Sequence, residues 1–489
     1  MIKLISILIS LFLVTTIHAQ GLTDALRYSQ LTSGGSARVL GVGGSFGAMG
    51  GDFGVTGTNV SGIADYRSSE VVFTISYNQA DVTSNFGETA IGSTNDGKEV
   101  VLENLAYIKH NKPAFGKLVT SNWAIGLQQY ANYNQTIRFD TDTPGSIAER
   151  FAFLANIDEF GQFDAELAFD ANAIFFDEEA NSFLTDIVGD ELINKNQTIE
   201  RSGRFNELVF NWAGKYANGL RIGAGIGIPF ISFEENRFYE ENDTDGSPLG
   251  FNQLNYSEFL TTSGTGFNLK LGVGYSIKQK IRLGLGYQSP TWTRLEDEFS
   301  TSLQYDCEFC ADTRNQLFES IDGFFTYRLR TPARLTASAG YLLISEKIKG
   351  FINFDAQFID YTGNTFDFTL GNEDPIETDN ENFVNDVIDN ELNNKINYSL
   401  GAELAYKKIR GRAGINLIAS PFFLDSNFDQ IYSAGVGYRM NKVFFDLAYQ
   451  FRSFSEGYVP YQAPNAADDL SLVVDTNVSK LALTIGIKL

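Results

Sequence analysis

From residue 266 the chain reads GFNLKLGVGYSI. Phe267, Leu269, Leu271, Val273, Tyr275 and Ile277 alternate with Gly266, Asn268, Lys270, Gly272, Gly274 and Ser276. Successive side chains of a strand point to opposite faces, so one face here is apolar and the other small or polar. The alternation returns at 219–228, 396–406 and 443–452, and at the C-terminus, where Leu481, Leu483, Ile485, Ile487 and Leu489 share a face. No other feature narrows the fold as far. Each apolar face must meet either a second sheet or lipid. Three features favour lipid. Aromatics flank the apolar positions as an interfacial girdle would, connections alternate between very short and very long, and the last strand runs to the final residue.

The pattern predicts strands near 71–79, 101–110, 121–130, 205–216, 219–230, 263–277, 280–304, 320–343, 348–360, 396–406, 409–420, 429–440, 443–454 and 478–489. These are 14, an even number, which leaves both ends on one side of a membrane. The short connections (217–218, 278–279, 344–347, 407–408, 441–442) then all fall on that inner side. The long ones (131–203, 231–262, 361–395, 455–477) all fall outside. The expected fold is all-β: a 14-stranded antiparallel transmembrane β-barrel with long extracellular loops. The strands 280–304 and 320–343 exceed what a bilayer needs, and Pro332 marks a bulge or kink, since proline cannot donate to the ladder. The loop 131–203 carries 15 acidic and four basic residues among many phenylalanines. Helical spacing at 147–156 and 182–193 predicts a folded cap that buries its aromatics or offers them as an apolar landing surface.

Composition excludes several function classes. The formal charge of -23 and pI near 4.5 oppose nucleic-acid binding, because phosphates need basic partners. Histidine is confined to His18 and His110, which removes histidine metal clusters and Ser-His chemistry; neither enzyme activity, metal nor cofactor is expected. Residues 1–19 read as a secretory signal peptide, with Lys3 before an apolar run from Leu4 to Val14 and cleavage after Ala19. Cys307 and Cys310 form C-E-F-C at the tip between two long strands. They read as a local disulfide bracing an exposed loop or as two free thiols. The acidic run 372–391 reads as solvated surface, or as a bridge to lipid phosphates through divalent cations.

GVGGSFGAMGGDFGVTGTNVSG at 41–62 is the remaining anomaly. A dinucleotide loop fails, because Phe46 stands where a third glycine belongs, and no lysine completes a triphosphate loop. Glycine also permits close backbone packing against a wall. Residues 20–68 therefore read as a plug (hatch) inside the barrel formed by 69–489.

The order SARVLGVGGSFGAMGGDFGVTGTNVSGIA (36–64) resembles the hatch of the FadL/TodX outer-membrane transport proteins, with Asp52 and Asn59-Val60-Ser61-Gly62 in place of the family's acidic residue and Asn-Pro-Ala-Gly. LGLGYQSPTWTRLEDEF (283–299) and RTPARLTASAGYL (330–342) resemble its Tyr-x-Ser and Thr-Pro segments, and the likeness runs from residue 20 to 489. The resemblance implies a monomeric barrel in a Gram-negative outer membrane. It also implies passive uptake of hydrophobic molecules such as long-chain fatty acids, which land on the loops, enter an apolar pocket and leave sideways at a kinked strand. The alternative is a FadL-like barrel that docks proteins as a PorV-like secretion component, using its long acidic loops. Lumenal cations near the inner end are Arg221, Arg282, Arg410, Arg412, Arg439, Lys442 and Lys488. They are expected to pair with Asp24, Asp52 and Asp65 of the plug and to hold a ligand carboxylate, to seat the plug alone, or to face water at the turns.

Overall fold

The computed structural model describes residues 21–489 apart from 33, 96, 158, 188–191, 245–249, 309, 311–313, 372–373 and 466–468. The expected signal peptide lies outside the described residues.

Fourteen antiparallel strands form the wall. They are β1 (Glu70–Phe86), β2 (Glu99–Lys109), β3 (Leu118–Asn132), β4 (Leu192–Tyr216), β5 (Leu220–Asn242), β6 (Phe251–Ile277), β7 (Ile281–Gln288 and Thr291–Cys307) and β8 (Gly323–Thr331 and Arg334–Ile344). Then follow β9 (Ile348–Asp360), β10 (Asn394–Tyr406), β11 (Ile409–Ala419), β12 (Phe428–Arg439), β13 (Val443–Tyr458) and β14 (Leu472–Lys488). Each pairs with its neighbour in sequence, and β14 returns to β1 from Glu70↔Lys488 to Asn85↔Val473, closing the sheet. The count of 14 is the one the alternation predicts, and it abolishes sheet edges.

Burial follows the same alternation. Leu269, Leu271, Val273 and Tyr275 are exposed on β6, while Asn268 and Lys270 between them are buried. Outward apolar rows of this kind run round the wall, far beyond the patch a water-soluble surface tolerates, so the outward face is the lipid face.

Strand lengths depart from the sequence expectation on the outer side. β4, β5 and β6 have 25, 23 and 27 residues, whereas a tilted crossing needs about 10. Most of 231–262 and the flanks of 131–203 are therefore ladder and not loop. Above the membrane both strand faces meet water or protein, so a segment such as ENRFYEEN loses its apolar alternation while keeping its hydrogen bonds. A further strand, Gln135–Pro144, extends the ladder against β4.

Among its irregularities, the wall ladder is interrupted at a pair of prolines and, separately, in β3. Gln288 pairs with Arg334 and Thr291 with Thr331, leaving Ser289-Pro290 opposite Pro332-Ala333 outside the ladder. The interruption expected at Pro332 is present, and Pro290 supplies its counterpart across the hairpin. The second break is in β3. Its register against β4 shifts between Gln129 and Ala131, and its ladder with β2 stops at Asn104↔Gln128. Above that point the two strands diverge, bridged by Asn132 and Asn134 amides donating to the Glu99 carboxylate.

The cap is folded. Helix 147–156 (Ile147–Asn156) is present as its spacing predicts, with Ser146 and Glu149 forming a capping box. The helix expected at 182–193 is not. Ser182–Leu184 instead pairs with Phe175–Asp177 as a hairpin, residues 188–191 lie outside the description, and Leu192 already opens β4. The second cap helix is Ala165–Asp170, capped by Asp164. The acidic run 372–391 contains a 17-residue helix, Pro375–Glu391, with Asp374 at its cap and Pro375 in its first turn.

Candidate functional site: the plugged lumen and its cap

The described residues of 21–66 lie inside the wall and fold from short pieces: helix α1 (Leu22–Ser29), helix α2 (Ala37–Leu40) and two 3-10 turns, Phe53–Gly57 and Val60–Asp65. Each piece is capped from within. Asp52 accepts from Ser36 Oγ at 2.8 Å and Gly54 N at 3.1 Å; Asn59 accepts from Ser61 N at 3.2 Å. The Asn59 amide also donates to Gly47 O (2.9 Å) and Val273 O of β6 (3.1 Å). Val60 and Ser61 are buried, and Gly62 O accepts from Gly51 N at 3.0 Å. The hatch motif thus shapes the plug and seats it on β6. The wall makes room with glycine: a Cβ on Gly286 would sit 1.9 Å from Thr58 O, and one on Gly272 would sit 2.3 Å from Asn59 Oδ1.

The inner end of the plug is held by ions. Asp65 receives Arg221 at 2.6 Å, Lys215 at 2.8 Å and Arg282 at 2.9 Å, from three wall strands. Arg221 also donates to Met49 O and Ala48 O. On the opposite wall Arg38 of the plug meets Glu403 (3.0 Å), which also takes Arg412 (2.7 Å); Arg412 and Arg439 share Asp446 at 2.7 and 2.8 Å. Of the cations singled out in the sequence, Arg221 and Arg282 meet a plug carboxylate, while Arg412 and Arg439 meet wall carboxylates. Arg410 donates to Lys407 O and Ile409 O, and Lys442 is exposed at its turn. Asp52 meets none of them, and Asp24 pairs with Arg27 of its own helix.

Sequence reasoning missed the middle and upper lumen. Lys270 Nζ meets Glu207 (2.9 Å) and Gln288 (2.8 Å), and Arg334 donates to Ser29 O at 2.6 Å. Small polar voids of about 10, 40 and 20 Å³ lie here, bordered by Thr58, Gln288, Arg334 and Gln357. Above them is an apolar chamber of Tyr130, Phe205, Ile231, Phe233, Leu295 and Tyr327. Helix α1 fills it. Ala25 and Tyr28 are fully buried, the Tyr28 ring meets Tyr133 edge-on at 6.3 Å, and Arg27 lies 3.8 Å over the Phe233 ring. The available signal was the amphipathic order LTDALRYS, hidden ahead of a glycine-rich run.

Over the outer ends of β5, β6 and β7 the cap closes its own core of Ile147, Phe151, Ile174, Leu254 and Tyr305. Cys307 and Cys310 are joined in a disulfide at its edge. Not all cap rings are buried: Phe160, Phe169 and Phe176 are exposed and gather round Phe183 at 5.2–5.9 Å. Burial raises the carboxyls of Asp186 and of Asp164, the latter to about 6 against a counteracting bond from Ala165 N.

A closed 14-stranded wall, a lipid-facing outer surface and an N-terminal segment lodged in the lumen define a plugged transmembrane β-barrel of the outer-membrane type. Its fold is that of the FadL/TodX transport proteins. The chain is similar to a FadL homologue of Pseudomonas aeruginosa (TM-score 0.53, 11% identity) and to the toluene transporter TodX of P. putida (0.52, 12%), covering 94% of this chain and 99% of each of theirs. No protein-family model and no curated protein matches the sequence.

Proposed function

We propose that the barrel is an outer-membrane channel for passive uptake of hydrophobic molecules, in the size range of long-chain fatty acids or small aromatic compounds, and that the described conformation is its closed form. One observation carries this: in the upper lumen, buried aromatic and aliphatic wall side chains pack against a short helix, α1. Removing that helix would leave a pocket of the kind that binds apolar solutes. The likeness in fold to a toluene transporter supports the reading. Exit would be sideways, where β2 and β3 diverge. The test is mass spectrometry of small molecules that co-purify with the detergent-extracted barrel, against an unrelated barrel prepared identically. Enrichment of a hydrophobic compound is expected; a clean preparation counts against uptake.

A second reading is favoured by one feature. The voids below the chamber are small and polar, and the outer cap is a folded surface with exposed rings, as suits a PorV-like barrel that docks proteins in a secretion system. The same preparation decides: a stoichiometric protein partner without a bound small molecule would select docking.

A further inference from the structure

The cap has a chemical signature that narrows the ligand. Residues 145–187 hold ten Asp and Glu but one cation, Arg150. Glu166, Asp170, Glu178 and Glu179 are exposed within the same short segments that expose Phe169 and Phe176. The outer helix Pro375–Glu391 repeats the combination, with six carboxylates, no cation, and exposed Ile376 and Phe383. An aromatic face attracts a cation within about 6 Å, and carboxylates within a Debye length of about 10 Å add to that attraction. An alkyl carboxylate gains the same apolar contact but meets repulsion. Inside the chamber the same chemistry is already occupied by a cation of the chain itself: Arg27 lies over Phe233, beside Asp24.

We propose that the exposed aromatic–acidic surface of the cap is a binding site for hydrophobic cations, such as an alkyl or aromatic ammonium, and that it disfavours fatty-acid anions. This rests on the uptake reading and assigns its substrate class. Charge complementarity selects the occupant: apolar tail on Phe160, Phe169 and Phe176, cationic head among the carboxylates.

The test uses the full barrel in zwitterionic nanodiscs with an Ala180→Trp reporter at the tip of the cap hairpin. It is titrated with three quenchers of identical tail: ω-bromoundecyl trimethylammonium, ω-bromoundecanol and ω-bromoundecanoate. The barrel without the reporter corrects for the wall tryptophans. At about 20 mM salt the ammonium is expected to bind about tenfold more tightly than the carboxylate, with the alcohol between them. The ratio should shrink to about twofold at 1 M salt, where the Debye length is about 3 Å. It should shrink equally in the variant Glu166→Gln, Asp170→Asn, Glu178→Gln, Glu179→Gln, whose sites are exposed. Equal affinities, a tighter carboxylate or no reporter quenching by any of the three overturns the site. Uptake of the alcohol into barrel-containing liposomes is measured alongside. Uptake without head-group preference removes the charge rule and leaves the channel. Head-group preference at the reporter without uptake supports the site and removes the channel.

Discussion

Single residues decide how firmly the plug is seated. Asp65 is the only plug carboxylate, among the described residues, that ties three wall cations together. Its replacement by Asn leaves the fully buried Arg221 with carbonyl acceptors and no counter-charge. A buried charge stripped of its partner costs about 3–5 kcal/mol. Asp65→Asn is therefore expected to expose residues 45–66 to protease while the barrel keeps its resistance to heat in detergent; an unchanged digestion pattern would refute the seat. Asp164 acts in the cap. Its carboxyl is held up to about 6, so the folded cap binds that proton more tightly than the unfolded chain does. The stabilisation is full below the ordinary carboxylate range near pH 4 and is lost as pH rises through 6. Backbone exchange in 164–170, corrected for its intrinsic pH dependence, should slow as pH falls from 7 to 5, and Asp164→Asn should abolish the trend. The sequence offered Asp65 as one of three plug carboxylates to meet Arg221 and Arg282 but could not single it out, and it did not mark Asp164 at all. Asp24, Asp52 and Asp65 are alike on paper, and only the fold directs the first to its own helix, the second to a cap and the third to the wall.

Elements were legible where one physical pattern ruled them. The membrane crossings follow from a period of two, because lipid on one side and a polar lumen on the other leave no choice of face. The extensions of β4, β5 and β6 were hidden because that contrast ends at the membrane surface. Helix Pro375–Glu391 carried a cap, an N-terminal proline and buried Val384 and Ile388 one turn apart, but its charge masked them. Helix α1 was overlooked for the opposite reason, being short and polar on average. It is now the element with the clearest test. Leu26→Ala removes part of its contact with the chamber, a loss of about 1 kcal/mol for a half-buried leucine. Exchange at 22–29 should rise about fivefold while 37–65 stays protected; a joint rise would mean the plug moves as one piece. At the cap edge, the Cys307–Cys310 bridge closes a very short loop. Its removal by Cys→Ser at both positions should cost about 2 kcal/mol locally and leave the wall intact, as read by heat-modified mobility and cap exchange.

At the scale of the whole molecule, charge is sorted across the membrane. The inner connections 110–117, 217–219, 278–280, 345–347, 407–408 and 440–442 carry eight lysines and one glutamate. The outer segments 145–187 and 361–393 carry nineteen carboxylates and one arginine. The chain's net acidity is thus mostly an outward-facing property, which bulk composition did not reveal, although the parity of short and long connections already set which segment faces which side. The plug is sorted along the same axis: ion pairs grip its lower end, while ring contacts hold its upper end. The two ends therefore answer to different agents. Neutralising Asp65 or Glu403 acts on the lower grip, whereas an apolar solute competes for the rings round α1 and leaves those lower ion pairs untouched. On the proposed uptake reading, such a cork would be loosened from the outside by what it meets there and stay tethered from beneath, its opening threshold set by how much solute partitions into the mouth and not by pulling from the inner side.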